Sequence, residues 1–462
     1  MPETTEHQRP HEWRALFRLA APIAAVNVGI QLMAVVDTAF SGRISDLAQA
    51  GTGLGVTIFF FGSLVGTGIV MGLDPLASQS VGAGRTNEAR HQLWQGVWLA
   101  VAISIPLMAA TYATGRALEA IGIAPELATE ARRYLDARLL SLVPLLVLTA
   151  MRSYLLAIHK IAPLLVTTIL ANVFNVAADW VLIFGDEGMA HLGLPGVGLP
   201  ALGVTGLGIA TTLAATLQAL MLGVAVGRQK VVHAVARRPN LAIISEISRL
   251  GGPIGVQMVA EIGIFSLAGL LAARMGVLEA AAHHIALQLA ALTFMVPLGV
   301  GQAASVRVGN AIGARDAERM RKAATAALAI GTGFMGVAAL CMWTIPEIFA
   351  QIMSGDPAVV TLATRLIIIA GAFQLFDGIQ VVSAGVLRGA GLTRWSMVAN
   401  LVAYWVVACP LLLTLGADSA LGVRGIWIGL TVGLFVAAVL LVRKSLKVTR
   451  HTDIATLAVI EA

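Results

Sequence analysis

The stretch MAVVDTAF, residues 33–40, sets one aspartate, Asp37, inside an apolar run reaching from Leu16 to Phe40, with no charge between Arg18 and Asp37. A run of about 20 apolar residues spans the hydrocarbon of a bilayer. The same kind of run recurs along all 462 residues, which are 58% hydrophobic and only 12% charged. The mean hydropathy is +0.84. A soluble chain carries about 25% charged residues, so the solvent of this chain is lipid. Backbone groups in lipid must be satisfied within each segment, and unbroken apolar runs do not alternate as barrel strands do. The expected fold is therefore an all-α integral membrane protein. Twelve helices are predicted, near 15–39, 48–72, 91–113, 134–157, 163–184, 202–226, 246–272, 280–305, 322–343, 361–387, 396–416 and 420–442. They leave no room for a soluble catalytic domain, and the polar start MPETTEHQRPHEW lacks the character of a cleavable signal peptide.

Loop charge orients the spans. Most of the 31 Lys and Arg residues fall on one side if the N-terminus, the even-numbered connections and the C-terminus share it. Arg228, Lys230, Arg237 and Arg238 follow the sixth span, Arg315, Arg319, Arg321 and Lys322 the eighth, and Arg443, Lys444, Lys447 and Arg450 the last. The positive-inside rule makes that side cytoplasmic. The net charge of +6 then needs no nucleic-acid partner; the basic face suits anionic lipid headgroups. The two cysteines, Cys341 and Cys409, lie inside predicted helices without neighbouring metal-ligand spacing.

The chain also repeats itself. RLAAPI at 18–23 returns as RLGGPI at 249–254, ASQSVGAG at 77–84 as ASVRVGNA at 304–311, and ALGVTG at 201–206 as ALGVRG at 420–425. The order is kept, so the halves are related: an N-terminal lobe over 1–226, a linker over 227–245, and a C-terminal lobe over 246–462. Six helices per half make the repeat parallel, a pseudo-twofold arrangement expected to enclose a central cleft. In the second span Gly51, Gly55, Gly62 and Gly66 form a stripe suited to close helix packing.

An ionisable group at mid-membrane costs about 2.5–3.5 kcal/mol on insertion scales and marks a pathway by default. Four acids stand out: Asp37, Asp179, Glu261 and Asp377. None has a Lys or Arg one turn away. Asn175 is four residues before Asp179 and shares its face. Carboxylate, amide and hydroxyl oxygens suit a hard cation, so Asp37, Asn175, Asp179 and Thr211 are candidates for ion or proton coupling, with Na+ as the possible metal. A hydrogen-bonded interhelical network without an ion is the alternative. In the second half, Gln257 precedes Glu261 by a turn, and Gln374 and Gln380 flank Asp377. Glu261, Asp377, Gln257 and Gln374 are candidates for binding substrate or cation. At the repeat offset Asp37 falls on Ala268, and Glu261 on Ile30, so the acids are not repeat-symmetric. His283 and His284 are read as a membrane-interface pair, with proton relay as the alternative.

Several stretches resemble the multidrug and toxic compound extrusion (MATE) family, NorM-type branch, over about residues 14–442. They are VDTAFSGRI, DPLASQSVGAGR, ASVRVGNAIGARD and VVSAGVLRGAGLTRWSMVANLVAYW. The resemblance implies an antiporter that exports cationic or amphipathic drugs or toxic organic cations in exchange for Na+ or H+, by alternating access. It implies no cofactor beyond the coupling ion, a cell (inner) membrane location and a role in antibiotic resistance. It matches Asp37, Asn175, Asp179 and Thr211 to an N-lobe ion site, and Glu261 and Asp377 to C-lobe acids. Where NorM-type members often carry a tyrosine one turn before the tenth-helix acid, this chain has Phe373. The chain is expected to work as a monomer among membrane lipids. A flippase for a lipid-linked or polyanionic substrate is the alternative; it would favour cationic residues, whereas the buried charges read from the sequence are acids. No HExxH or GxSxG motif suggests an enzyme.

Overall fold

Hydropathy windows detect only the part of a helix that lies in hydrocarbon, and the polar ends continue it into the headgroups. Accordingly the helices of the computed structural model run beyond the apolar windows. The structure describes residues 12–191, 193, 195–196, 198–229, 235–417, 421–451 and 453–459, so Lys230 and part of ALGVRG lie outside the described residues. Among the described residues every regular element is helical, and twelve helices are long and apolar enough to cross a membrane. They are α1 (Glu12–Ile44), α2 (Asp46–Gly82), α3 (Thr86–Ala117), α4 (Pro125–Ala157), α5 (Ala162–His191), α6 (Gly203–Gly227), α7 (Leu241–Met275), α8 (Val277–Gly313), α9 (Ala317–Thr344), α10 (Pro357–Gly389), α11 (Thr393–Gly416) and α12 (Val423–Arg450). A short helix, Pro346–Met353, joins α9 to α10.

The helices pack into two compact units whose borders differ from the division at 226 and 246. One unit holds residues 28–73 and 86–255; the other holds 1–27, 74–85 and 256–462. The chain changes unit inside α1 and inside α7, just after Pro22 and Pro253 of the repeated RLAAPI and RLGGPI. Proline removes an intrahelical hydrogen bond and eases a bend there. The third change falls at the turn over Met71 and Gly72 that interrupts α2.

In the first of these units α2 meets α7 at glycines. A Cβ on Gly251 would lie 1.9 Å from the Ile69 carbonyl oxygen, and one on Gly72 would lie 2.0 Å from that of Ile247. The α2 stripe is used in the same way. Gly51 and Gly55 abut Glu130 and Tyr134 of α4, Gly62 abuts Thr111 of α3, and Gly66 lies against Leu107 and Leu146. In the other unit the two repeated motifs pack on each other. Asn310 Nδ2 donates to the Ser78 carbonyl at 2.7 Å, and a Cβ on Gly313 would sit 1.9 Å from the Gln79 carbonyl oxygen. The core of this unit gathers Phe373, Tyr404 and Trp427.

Gly251→Ala is therefore expected to destabilise the protein by about 1–3 kcal/mol through backbone overlap. Its neighbour Gly252 has no atom within 4 Å of a built Cβ. Gly252→Ala is expected to hold or raise stability, by up to ~1 kcal/mol from helix propensity. Melting temperatures of the two variants in one detergent measure the contrast.

Candidate functional site

In the unit of residues 28–73 and 86–255, an apolar cluster of Phe40, Tyr134, Ile183, Val204 and Leu207 locks α1, α4, α5 and α6 together. One helical turn from its members stand polar residues: Asp37 from Phe40, Asp179 from Ile183, Thr211 from Leu207, and Arg138 from Tyr134. The i,i+3 and i,i+4 spacing puts each polar residue on the face that the cluster has already fixed.

The sequence-predicted set does come together. Asp37 and Asn175, Asp179 and Thr211 are all buried. Thr211 Oγ1 lies 3.1 Å from Asp37 Oδ2 and 3.0 Å from the Leu207 carbonyl, so one hydroxyl proton is shared between two acceptors. Asn175 and Asp179 face the same Asp37 carboxylate. Asp37 Oδ1, both Asp179 oxygens and both ends of the Asn175 amide are buried and make no hydrogen bond. Buried polar atoms are nearly always bonded. Orphaned oxygens from three side chains, beside a hydroxyl, form a donor set suited to a hard monovalent cation or to protons. Among the described residues no group of three or more His, Cys, Asp or Glu side chains is placed to hold a metal ion.

Sequence reading missed the fifth member. Arg138 of α4 puts Nη1 3.8 Å from Asp37 Oδ2. Its guanidinium sits over the Phe59 ring, 4.6 Å from the centroid, and donates to the Tyr134 hydroxyl. The expectation that the buried charges are all acids is thereby corrected. The search for a basic partner covered one turn of the same helix, whereas this partner comes from another helix about 100 residues away. The signal was present, as an arginine inside the fourth predicted span.

In the other unit, Glu261 on α7 and Asp377 on α10 face each other closely enough to interact, and Arg388 lies near Glu261. Arg388 also points Nη1 to Asp74 Oδ2 at 3.9 Å. Gln257 and Gln374 are buried. Gln374 donates to the Ala290 carbonyl at 3.2 Å and to Thr293, so its nitrogen ties α10 to α8. Gln380 donates to Asn400 Oδ1 at 3.2 Å. Phe373 is apolar core, edge-on to Phe265 and Trp427. The hydroxyl that Phe373 lacks is supplied from another helix, because Tyr404 of α11 places its buried, unbonded oxygen beside Glu261. Tyr404 lies in a π-helical segment, Val402–Ala408. Such segments shift the 3.6-residue register, which is why spacing alone did not point to it. His283, read from the sequence as interfacial, is 4% exposed, packs on Trp427, and has both ring nitrogens unbonded.

Comparison with known proteins gives a consistent result. The MatE family model matches twice, over residues 22–181 and 253–414. The two starts have the same separation as RLAAPI and RLGGPI. A probable multidrug resistance protein NorM of Bradyrhizobium diazoefficiens is 33% identical over 441 residues, 93% of this chain and 92% of that one. The multidrug resistance protein MdtK of Yersinia pseudotuberculosis is 30% identical over 441 residues, 93% and 94% of the two chains. The crystal structure of the eukaryotic MATE transporter AtDTX14 superposes with a TM-score of 0.83 over 96% of this chain and 97% of that one. At 23% identity it shares the fold.

A buried polar group without a partner costs roughly 1–3 kcal/mol. Asn175→Leu, which is close in shape, is therefore expected to raise stability by about that amount. Thermal unfolding of the purified protein measures it, and a lowered melting temperature would mean that the amide has a partner.

Proposed function

Because this chain belongs to the MatE family, we propose that it is a multidrug efflux transporter that exchanges cationic or amphipathic compounds for Na+ or H+ by alternating access. The observation that carries this reading is the cluster of orphaned oxygens from Asp37, Asn175 and Asp179, set beside Thr211 among apolar helices. A carboxylate that only held helices together would have its oxygens bonded. This one is left free to take and release a positive charge. Glu261 and Asp377, with Gln257 and Gln374 around them, form the second set, and we assign to it the positive charge of the exported compound.

Two sets are enough for exchange when both bias one conformational equilibrium. Linkage then requires the drug to weaken the ion as much as the ion weakens the drug. The protein operates as a transporter rather than an enzyme, with the coupling ion as its only inorganic requirement. In this reading both termini are cytoplasmic, the six-helix halves are the moving lobes, and the working form is a monomer in the cell membrane. The flippase alternative is not favoured. Arg138 and Arg388 show that buried cations alone do not argue for it, and the relatives described above carry multidrug resistance names.

Asp37→Asn keeps the shape of the side chain and removes its charge. It is expected to give a folded protein whose gradient-driven drug efflux from proteoliposomes falls at least tenfold. Full gradient-driven efflux would return Asp37 to a structural role. Asp377→Asn is expected to weaken export of dicationic drugs several-fold more than that of monocationic ones, in drug-loaded vesicles at matched expression. Equal losses for both drug classes would remove Asp377 from substrate contact.

A further inference from the structure

We propose that Arg138 is a resident cation of the Asp37–Asp179 cluster, and that it makes the exchange proton-coupled and indifferent to sodium. The proposal deepens the exporter reading above and rests on it.

Arg138 is seated rather than mobile. Its guanidinium is held over Phe59 at 4.6 Å and over Tyr134 at 5.6 Å, and it donates to the Tyr134 hydroxyl. Tyr134 is itself fully buried, and it approaches α2 where Gly55 leaves room for its ring. The arginine therefore has an aromatic seat of its own, and that seat aims Nη1 at Asp37 Oδ2, 3.8 Å away.

The charges facing Asp37 can be followed helix by helix. From α4 come Arg138 and Tyr134, from α5 Asp179 with the amide of Asn175, and from α6 the hydroxyl of Thr211. On α1 itself Arg43 sits over Phe40 and Trp180. Two carboxylates and one guanidinium leave room for one further positive charge. The guanidinium repels an incoming proton and an incoming sodium ion alike, so charge alone does not choose between them.

Geometry does choose. A hard cation needs several oxygens closing on it at about 2.0–2.6 Å. Here Asp37 Oδ2 already receives the Thr211 hydroxyl and faces the arginine. Closing a cage on that oxygen would drive the ion against the guanidinium N–H groups. A proton needs only one lone pair. Asp37 Oδ1 and both Asp179 oxygens offer unbonded ones with no side chain moved. Two adjacent carboxylates sharing a proton relieve their mutual repulsion, so a single proton completes the neutralisation that Arg138 begins.

The test uses the purified full chain with radioactive sodium as the binding probe. The wild type is expected to show no Asp37-dependent sodium binding at millimolar sodium. Calorimetry in buffers of different ionisation enthalpy should show about one proton released per drug bound, whether or not sodium is present. Arg138→Gln is expected to gain sodium binding that Asp37→Asn abolishes, at least tenfold tighter than in the wild type. Arg138→Lys, which keeps the charge, should not gain it. Asp37-dependent sodium binding by the wild type overturns the proposal, as does drug binding without proton release. A folded Arg138→Gln that still ignores sodium also overturns it. The two wild-type measurements decide the matter even if Arg138→Gln does not fold. In proteoliposomes, efflux under neither a pH nor a sodium gradient would fail the exporter reading, while sodium binding would still judge Arg138.

Discussion

An ionised side chain among apolar helices has no water to fall back on, so its neighbours must supply the compensation. That constraint shapes both polar sets of this protein. Asp37 meets a hydroxyl, an arginine and a second carboxylate. Glu261 meets Asp377, a tyrosine hydroxyl and the field of Arg388. Neither set is fully compensated, because several of its buried oxygens remain unbonded. A structural network would be expected to close its hydrogen bonds, since half-satisfied polar groups cost more than apolar packing. The open positions are therefore retained at a cost to stability, and movable cations are what such positions accept.

Close helix approach makes these sets possible. Association of helices in lipid gains little from hydrophobicity and depends on packing and small residues. Gly55 admits the Tyr134 ring, and Tyr134 in turn supports Arg138. Gly263 admits Trp405, whose indole donates to the Ala260 carbonyl at 3.1 Å, next to Glu261. The glycines thus lie two steps from the chemistry. Each removes a Cβ so that an aromatic side chain can reach the position from which it holds a charged or polar group.

Much of this was legible in the sequence, for definite reasons. The twelve spans are visible because hydrocarbon demands long apolar runs, and Asn175 and Asp179 fall on one face because helical spacing is local. Asp37, Asp179 and Thr211 stand out because polar groups are rare in such runs. What stayed hidden is non-local. Arg138 reaches Asp37 across about 100 residues of chain, and no periodicity reports that contact. Tyr404 sits in a π-helical turn, where the 3.6-residue rule misassigns the face. The unit borders at 27 and 255 come from packing on either side of a bend, whereas the sequence offered only the basic linker as a place to divide the chain. His283 looked interfacial from its place near a helix start, but its ring is packed against Trp427.

The fold repeats and the charges do not. Asp37 has Ala268 at its repeat-related position, fully buried in apolar core, and Glu261 has Ile30, which is half exposed. If the acids served only to join helices, related packing in the two halves would be expected to call for related polar pairs. Instead one half carries an arginine beside two carboxylates, and the other carries two carboxylates with a tyrosine and a more distant arginine. The two sets therefore differ in net charge and in hydrogen-bond donors, so they cannot select the same occupant. Exchange needs that difference. Two identical sites would bind drug and coupling ion with the same preference, and occupancy of one would carry no information about the other. Two unlike sites on a repeated scaffold let one backbone motion act on two chemically distinct cations.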